Sequence, residues 1–452
     1  MRLLLSLLLL PALVLAVYDY REVDLGNWNS FFYNDGRWGI DITQGSGVAG
    51  GYWHGSSYIF GAGVWVGGIP DGDTLVTNGY DPNSGGTEFY PTPCIYWRQG
   101  INDPRDRIYV FPGDWPPPPN RFPWAPQYPT GDIMLWSCCC DSYPGNHRVP
   151  GVPIGVDLYV TVYYVDDSLG RDIFLMRYEA INRHGADLDS IYFGMCVDAD
   201  VGNATDDMSG LILDKLFNVN GETLRVRDAG FAWSNDGQPS GAVGVRVLRS
   251  PTGVGLSAFK LFSLEADPTT DVEQYLALTG HNWWPPYDYE PYDSLDYTPS
   301  DKRFLLSTGP FDLPRDSLCE AWYAVVAAPF SPNGHPVPGD TNELALRLWY
   351  AEHLLEQVTA VAERQTTPVR TGLRVSPTVL SPGRTVLLTG VGGTLDVAVF
   401  DANGRMVRTL SGPARLAWDG KDSRGAVLPA GVYFLQAGDQ GSARVQIVPR
   451  QR

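Results

Sequence analysis

Residues Leu416–Leu435, LAWDGKDSRGAVLPAGVYFL, decide how the end of the chain is read. A strand closes on Trp418, Asp419 and Gly420 turn, a polar loop runs from Lys421 to Gly425, and a second strand is interrupted by Pro429 and Gly431. Upstream, LDVAVFDANGRMVRTL (Leu395–Leu410) alternates apolar residues on both sides of Asp401–Gly404. There Asn403 and Gly404 accept the positive φ that a tight hairpin loop needs. Strands are read at Gly372–Ser376, Arg384–Thr389, Thr394–Phe400, Met406–Leu410, Ala414–Trp418, Val432–Gln436 and Ala443–Val448. Residues 370–452 thus form a seven-strand β-sandwich of Ig-like size.

Working outward, Gln365–Thr371 is a linker and Asp340–Arg364 is a helix, the connector at 339–365. Leu344, Leu348, Ala351, Leu355, Val358 and Ala362 recur at spacings of four and three, and Asp340 with Glu343 starts it like a capping box. Leu346, Trp349, Leu354 and Val361 widen the apolar face, which predicts packing onto the body rather than a free-standing coiled coil.

Residues 17–338 make a β-rich, sandwich-like body, with a candidate subdomain break near 150. Glycine (50), proline (36) and aromatic residues (12%) abound, and helical periodicity is nearly absent, so the fold is mainly β. Val156–Val165, Asp172–Asn182 and Ser190–Val197 read as an antiparallel meander. Further strands fall at Tyr58–Val66, Gly230–Ser234, Ala242–Leu248, Gly255–Leu264, Phe304–Pro310 and Leu318–Ala328. In Ala242–Leu248, Val243, Val245 and Val247 share one face and Arg246 the other. Pro91–Val156, with WPPPPN at Trp115–Asn120, reads as an extended cover, because proline cannot donate to a ladder.

Met1–Ala16 (MRLLLSLLLLPALVLA) combines one positive charge with an apolar run shorter than the ~20 residues of a bilayer span, the pattern of a cleaved signal peptide. No later stretch is a transmembrane span. With 51 acidic against 33 basic residues and a net charge of −18, the chain repels nucleic acid and favours cations. These features predict an exported protein.

Six cysteines, Cys94, Cys138, Cys139, Cys140, Cys196 and Cys319, permit disulfides in an exported chain. At least one of the adjacent triplet is expected to pair with a distant partner such as Cys94, and Cys196 and Cys319 read as buried thiols. Zinc ligation by the triplet and His147 lacks the usual spacers.

Asp198–Asp207, DADVGNATDD, crowds four carboxylates onto a strand-end loop. Asp198, Asp200, Asn203, Asp206 and Asp207 are the candidate ligands of a structural Ca²⁺, which would relieve their repulsion. The loop is no EF-hand: from Asp198 the sixth position is Asn203 and the twelfth Ser209. The alternative is a solvated turn of local Asx bonds. Trp283–Ser300, WWPPYDYEPYDSLDYTPS, reads as a lid, with Trp283, Trp284, Tyr287 and Tyr289 as a candidate ligand surface, since aromatic rings beside carboxylates suit a sugar.

The run Trp418-Asp419-Gly420, Asp422, Gly425, Pro429, Gly431 and Tyr433, preceded by the DxxGRxVRTL hairpin, resembles the Ig-like domain of flagellar hook-capping proteins. It is equally similar to the C-terminal sorting domains of type IX secretion cargo. The resemblance covers about the last eighty residues and implies sorting to, or attachment at, a Gram-negative-type cell surface, with secretion machinery or surface components as partners; it implies no catalysis. One departure is the Pro449–Arg452 extension. In the body, DADxGxxxDD, GVRVLRSPTG, LLSTGPFDL and AWYAVVAAP resemble uncharacterised exported bacterial proteins, and imply only a shared β-rich body.

No nucleophile elbow, zincin helix, Walker loop or dinucleotide fingerprint occurs, so no catalytic residue is assigned. The expectation is a structural or adhesive surface protein with no reaction of its own. The alternative is an extracellular carbohydrate-binding or glycoside-cleaving protein with polysaccharide as partner.

Overall fold

A computed structural model describes residues 18–449 apart from 44, 46, 100–102, 149–150, 252, 294–295, 331–340, 366–372, 377, 382–383, 402–404 and 438–441. The signal-peptide segment, the Asp340 cap, the linker after Gln365 and the Asn403-Gly404 turn lie outside these residues. The chain divides into two compact units between Val361 and Ala362. Among the described residues no helix is long and apolar enough to cross a membrane.

The first unit is built on two antiparallel sheets. One has eight strands, ordered Tyr20–Leu25, Trp28–Tyr33, Gly51–Trp53, Ser56–Gly68, Leu188–Ala199, Lys302–Leu313 and Ala258–Ser263, with Leu75–Asn78 also on Ser56–Gly68. The other has nine, ordered Asp296–Ser300, Asp207–Val219, Glu222–Ser234, Ala242–Arg249, Leu318–Ala328, Ile173–Asn182, Val156–Tyr164, Ile133–Cys140 and Tyr109–Phe111. Their facing sides share one core. Phe174 of the second sheet stands edge-on to Trp28 (5.7 Å), Trp38 (5.6 Å) and Phe32 (5.9 Å) of the first part of the chain. The chain is mainly β, with a sandwich-like body, as its composition predicts.

The second sheet is covered on its other side as well. Helix α2, Asn342–Gln365, buries Leu344, Leu348, Ala351, Leu355 and Val358 in a cluster with Ile173, Leu175, Trp322, Ala324 and Val326. Double coverage explains why VDLYVTVYY is apolar without alternation, since every residue of Val156–Tyr164 is buried. Val243, Val245 and Val247 face the inter-sheet core, while Arg246 donates to Leu348 O at 2.7 Å and pairs with Glu352 on α2. Arg347 donates to Asp172 at 2.8 Å, and that carboxylate also accepts from Asn27 and from Trp53 Nε1, both at 2.8 Å.

The structure corrects the expected meander. Val156–Tyr164 and Ile173–Asn182 pair, but Leu188–Ala199 crosses to the other sheet, between Ser56–Gly68 and Lys302–Leu313. A second helix, α1 (Asp271–Leu278), is too short, at 8 residues, to show a helical periodicity in the sequence. Its capping box of Thr270 and Glu273 is nonetheless visible as T-x-x-E. Leu278 of α1 seats directly on two strands, for a Cβ on Gly67 would meet its Cδ1 at 2.5 Å and one on Gly194 would meet its Cδ2.

The expected disulfides are absent, and all six cysteines are free thiols. Ile133–Cys140 is a strand, so neighbouring cysteines of the triplet point to opposite faces and cannot join. Cys139 enters the inter-sheet core, while Cys138 packs with Trp136 and Phe122 under the proline-rich cover. Arg121 pins that cover, donating to Asp106 at 2.8 Å with its guanidinium 3.7 Å from the Tyr96 ring centroid.

The second unit is one six-stranded sheet ordered Arg374–Ser376, Val386–Phe400, Gly431–Gln436, Ser442–Ile447 and Val379–Leu380, with Met406–Trp418 on Val386–Phe400. Two pairs of expected strands are each continuous: Val386–Phe400 spans Arg384–Thr389 and Thr394–Phe400, and Met406–Trp418 spans the next two. A register shift between Thr389 and Thr394 takes up the intervening glycines without ending the ladder.

Candidate functional site

In the second unit the motif residues build a turn that satisfies itself. Trp418 is fully buried, donates Nε1–H to Lys421 O at 3.1 Å and stands edge-on to Tyr433 at 5.9 Å. Tyr433 donates its hydroxyl to Pro429 O at 2.9 Å. Asp422 accepts from the N–H groups of Arg424 (2.9 Å) and Ala426 (2.8 Å), and Asp419 accepts from Arg408 at 3.1 Å. Gly420 and Gly425 have φ of 72° and 82°, which turn residues without a Cβ adopt freely. The described contacts of the motif residues shape their own turn.

In the body, the Trp283–Ser300 stretch opens with a hairpin. Glu290 N–H donates to Gly280 O and Asn282 N–H to Asp288 O, both at 2.9 Å, while Tyr287 N–H closes the tip on Trp284 O at 2.8 Å. Trp283 is not part of a ligand surface: it is 8% exposed, edge-on to Phe262 at 5.7 Å, and donates to Ala266 O at 3.1 Å. Trp284, Tyr287 and Tyr289 are 48%, 50% and 63% exposed. The expected lid is therefore anchored at one ring and open at three.

Lys260, which no local sequence pattern singles out among its apolar neighbours, clamps this hairpin. Its buried ammonium donates to Asn282 Oδ1 (3.0 Å), Glu290 O (3.0 Å) and Asp293 Oδ1 (2.7 Å). Beyond the hairpin the chain runs along the edge strand Ala258–Ser263. Phe259 N–H donates to Pro291 O (2.7 Å), Asp293 N–H to Phe259 O (3.0 Å), and Leu261 N–H to Asp293 Oδ2 (2.7 Å).

The acidic loop does not gather into an oxygen cage. Asp198 ends its strand buried, accepting from the Tyr80 hydroxyl at 2.7 Å and lying 3.3 Å from Arg303 Nε. Tyr80 reaches it by lying across Gly61, where any Cβ would collide with its ring. Asp207 is buried and accepts from Val201 N–H at 3.2 Å. Asp206 faces the Ser234 hydroxyl at 3.4 Å, and Asn203 accepts from Thr205, capping a short 3-10 turn. Among the described residues no three His, Cys, Asp or Glu side chains form a group that could hold a metal ion. Asp198, Asn203, Asp206 and Asp207 instead face Arg303, Tyr80, the Ser234 hydroxyl and backbone N–H groups, while Asp200 lines a cavity.

A cavity of about 280 Å³ nevertheless opens here, lined by Phe60, the Asn83–Gly85 turn, Asp198, Asp200, Asp301 and Arg303. One guanidinium serves three carboxylates, with Arg303 at 3.2 Å from Asp301, 3.3 Å from Asp198 and 3.6 Å from Asp267. Burial pushes the Asp198 carboxyl up to about 8 despite Arg303, and Asp267 to about 7. Burial, then the nearby Asp301 charge, raises Asp200 to about 6. Raised carboxyls grouped in a concavity mark a candidate site. Asp301, Arg303, Tyr80 and Phe60 are far from Asp198 in sequence, so no local pattern could have found it.

No family model and no curated protein matches the chain. Among solved structures, it is similar to a bacterial glucoamylase complexed with acarbose, at 8% identity and a TM-score of 0.37 over 79% of this chain and 37% of that one. An Aspergillus nidulans amine oxidase gives 7% and 0.32 over 72% and 52%. A GalM/aldose epimerase homologue from C. elegans gives 7% and 0.31 over 70% and 99%. The chain thus spans about a third to a half of the first two, and at these scores the likeness assigns no activity.

Proposed function

We propose that the chain is an exported cell-surface protein with an adhesive role, whose body binds carbohydrate and whose C-terminal unit serves sorting or attachment. The clamped hairpin carries the carbohydrate part. Trp284, Tyr287 and Tyr289 present rings to solvent on a backbone that Lys260 and Trp283 hold in place, beside the carboxylates of Asp288 and Glu290. Flat apolar faces next to acceptors match a pyranose, which is apolar on its C–H faces and hydroxylated at its rim. The attachment part is supported by the resemblance of the Trp418–Tyr433 motif, whose residues are occupied with their own turn.

The test is retention of the full mature chain on insoluble and arrayed polysaccharides, with Trp284→Ala/Tyr289→Ala alongside. At least one glycan should retain the wild type, with affinity at least tenfold lower in the double variant at an unchanged melting temperature. Retention that the double variant keeps, or none on any glycan, rejects the carbohydrate part. Release of reducing sugar from a bound glycan would turn the adhesive role into glycoside cleavage. Fractionation of the native organism tests the address: a cytosolic chain rejects it.

A further inference from the structure

The net charge of −18 hides a division between the two units. Ala362–Arg452 carries 12 basic against 6 acidic residues, and 11 of the 12 are arginine, whereas the first unit carries 45 acidic against 21 basic. A unit of charge +6 is thus joined to one of −24. The described acids of the second unit are engaged within it: Asp401 with Arg405, Asp419 with Arg408 and Lys421, Asp396 with the Ser411 hydroxyl, and Asp422 with N–H groups. Among the described residues, the exposed Arg384, Arg415, Arg424 and Arg444 meet no carboxylate.

Two of these four bracket an apolar row. Phe400 pairs with Met406 on one side and Phe434 on the other, and Phe434 pairs with Arg444; residues opposite one another across a ladder share a face. Val399, Val407, Leu435 and Val445, which alternate with them, lie in the core of the unit, so the row looks outward. Arg444 closes one end. At the other, Ser423 N–H donates to Val407 O at 3.0 Å and brings the loop that carries Arg424 beside Met406. Val432, Gln446 and Val379, paired in the same way, make a second row on this face. Met406, Phe434 and Val379 are 59%, 48% and 46% exposed, an apolar surface that the unit itself leaves uncovered.

A partner for this face has to offer anions and an apolar layer together. A hydrated polyanion would take the guanidiniums and leave Phe434 and Met406 in water, and a neutral apolar surface would do the opposite. A lipid surface with phosphate headgroups supplies both, because guanidinium forks pair with phosphate oxygens and apolar side chains enter the boundary between headgroups and acyl chains. The same negative surface repels the first unit, which leaves the second as the end of the chain drawn to it.

We infer that the outward sheet face around Phe434 docks on an anionic phospholipid surface, with Arg424 and Arg444 on the phosphates and Met406 and Phe434 in the boundary beneath. Such docking deepens the attachment reading above, on which it rests for its place in the cell, by naming what the C-terminal unit attaches to.

Flotation of the full mature chain with lipid vesicles tests it. At low salt the chain should bind vesicles of mixed phosphatidylcholine and phosphatidylglycerol at least tenfold more tightly than phosphatidylcholine alone, and added NaCl should release it. Arg444→Gln, Arg424→Gln and Phe434→Ala should each weaken binding about fivefold at an unchanged melting temperature. Arg315→Gln, an exposed cation of the first unit, and Trp284→Ala/Tyr289→Ala should leave it as it is. No flotation with the charged vesicles, flotation that the three variants keep, or equal binding to phosphatidylcholine overturns the inference. Without flotation, capture by soluble polygalacturonate or self-association in sedimentation velocity, either one lost in Arg444→Gln, hands the face to an acidic glycan or a second copy and overturns it too. A surface-located chain that does not float sinks the lipid face and spares the attachment reading. Flotation by a chain that fractionates with the cytosol does the reverse.

Discussion

Lys260 Nζ and Asp293 Oδ1 are 2.7 Å apart beneath the aromatic hairpin, and the other oxygen of the same carboxylate takes the Leu261 N–H at 2.7 Å. Replacing Lys260 by methionine keeps the packing and strands Asp293, Asn282 and the Glu290 carbonyl. Because Asp293 is partly exposed, the loss should be about 2–3 kcal/mol, toward or below the lower end for a broken buried pair. Urea unfolding measures it, and amide exchange at residues 280–290 should accelerate before global unfolding does.

The seat of α1 predicts a steric effect of opposite character. Gly194→Ala would force a methyl group against Leu278 and to 2.7 Å from Leu305 Cδ1. An overpacked core of this kind costs about 1–3 kcal/mol. The unfolding free energy from urea titration should fall by that amount, and Leu278→Ala in the same chain should recover part of it, because the two act on one volume.

Stability should decline with rising pH. Burial raises the carboxyls of Asp200, Asp267, Asp198 and Asp207 to about 6, 7, 8 and 9, above the ~4 of an unfolded chain. Between pH ~4 and these values the folded state holds protons that the unfolded state has released. Their contribution is therefore complete below pH ~4 and is lost as pH climbs through 6 to 9. Urea midpoints at pH 5, 7 and 9 should fall in that order, and Asp207→Asn should flatten the upper part of the slope. A midpoint that rises across this range would contradict the assigned burial.

The thiols offer a chemical test. In denaturant, with or without prior reduction, Ellman's reagent should count six. In the folded protein Cys138, Cys139, Cys140 and Cys196 should not react, since burial raises or encloses each. Cys94 and Cys140 are the pair close enough to share a hydrogen bond. Diamide should link those two before any others, as peptide mapping would show.

Elements whose sequence pattern is local were legible. Val243, Val245 and Val247 against Arg246 gave a strand with two different faces, and the Leu344 to Val358 spacing gave a helix that packs on the sheet. What the sequence concealed depends on partners remote in the chain. Leu188–Ala199 has the composition of its neighbours, and nothing local says that it joins the other sheet. Asp198 looked like a metal ligand because its neighbours in sequence are acids, whereas its neighbours in space are Tyr80 and Arg303. Lys260 sits alone in an apolar strand, and only the folded hairpin supplies its three acceptors.

A sheet with a bare margin is a template on which another copy can add itself, and molecules crowded at a surface meet often enough to polymerise that way. The stretch from Pro291 to Asp293 already occupies the outward N–H groups of Phe259 and Leu261. The proline-rich segment therefore closes this one margin of the first sheet to such pairing, and shortening it should show first as turbidity at high protein concentration.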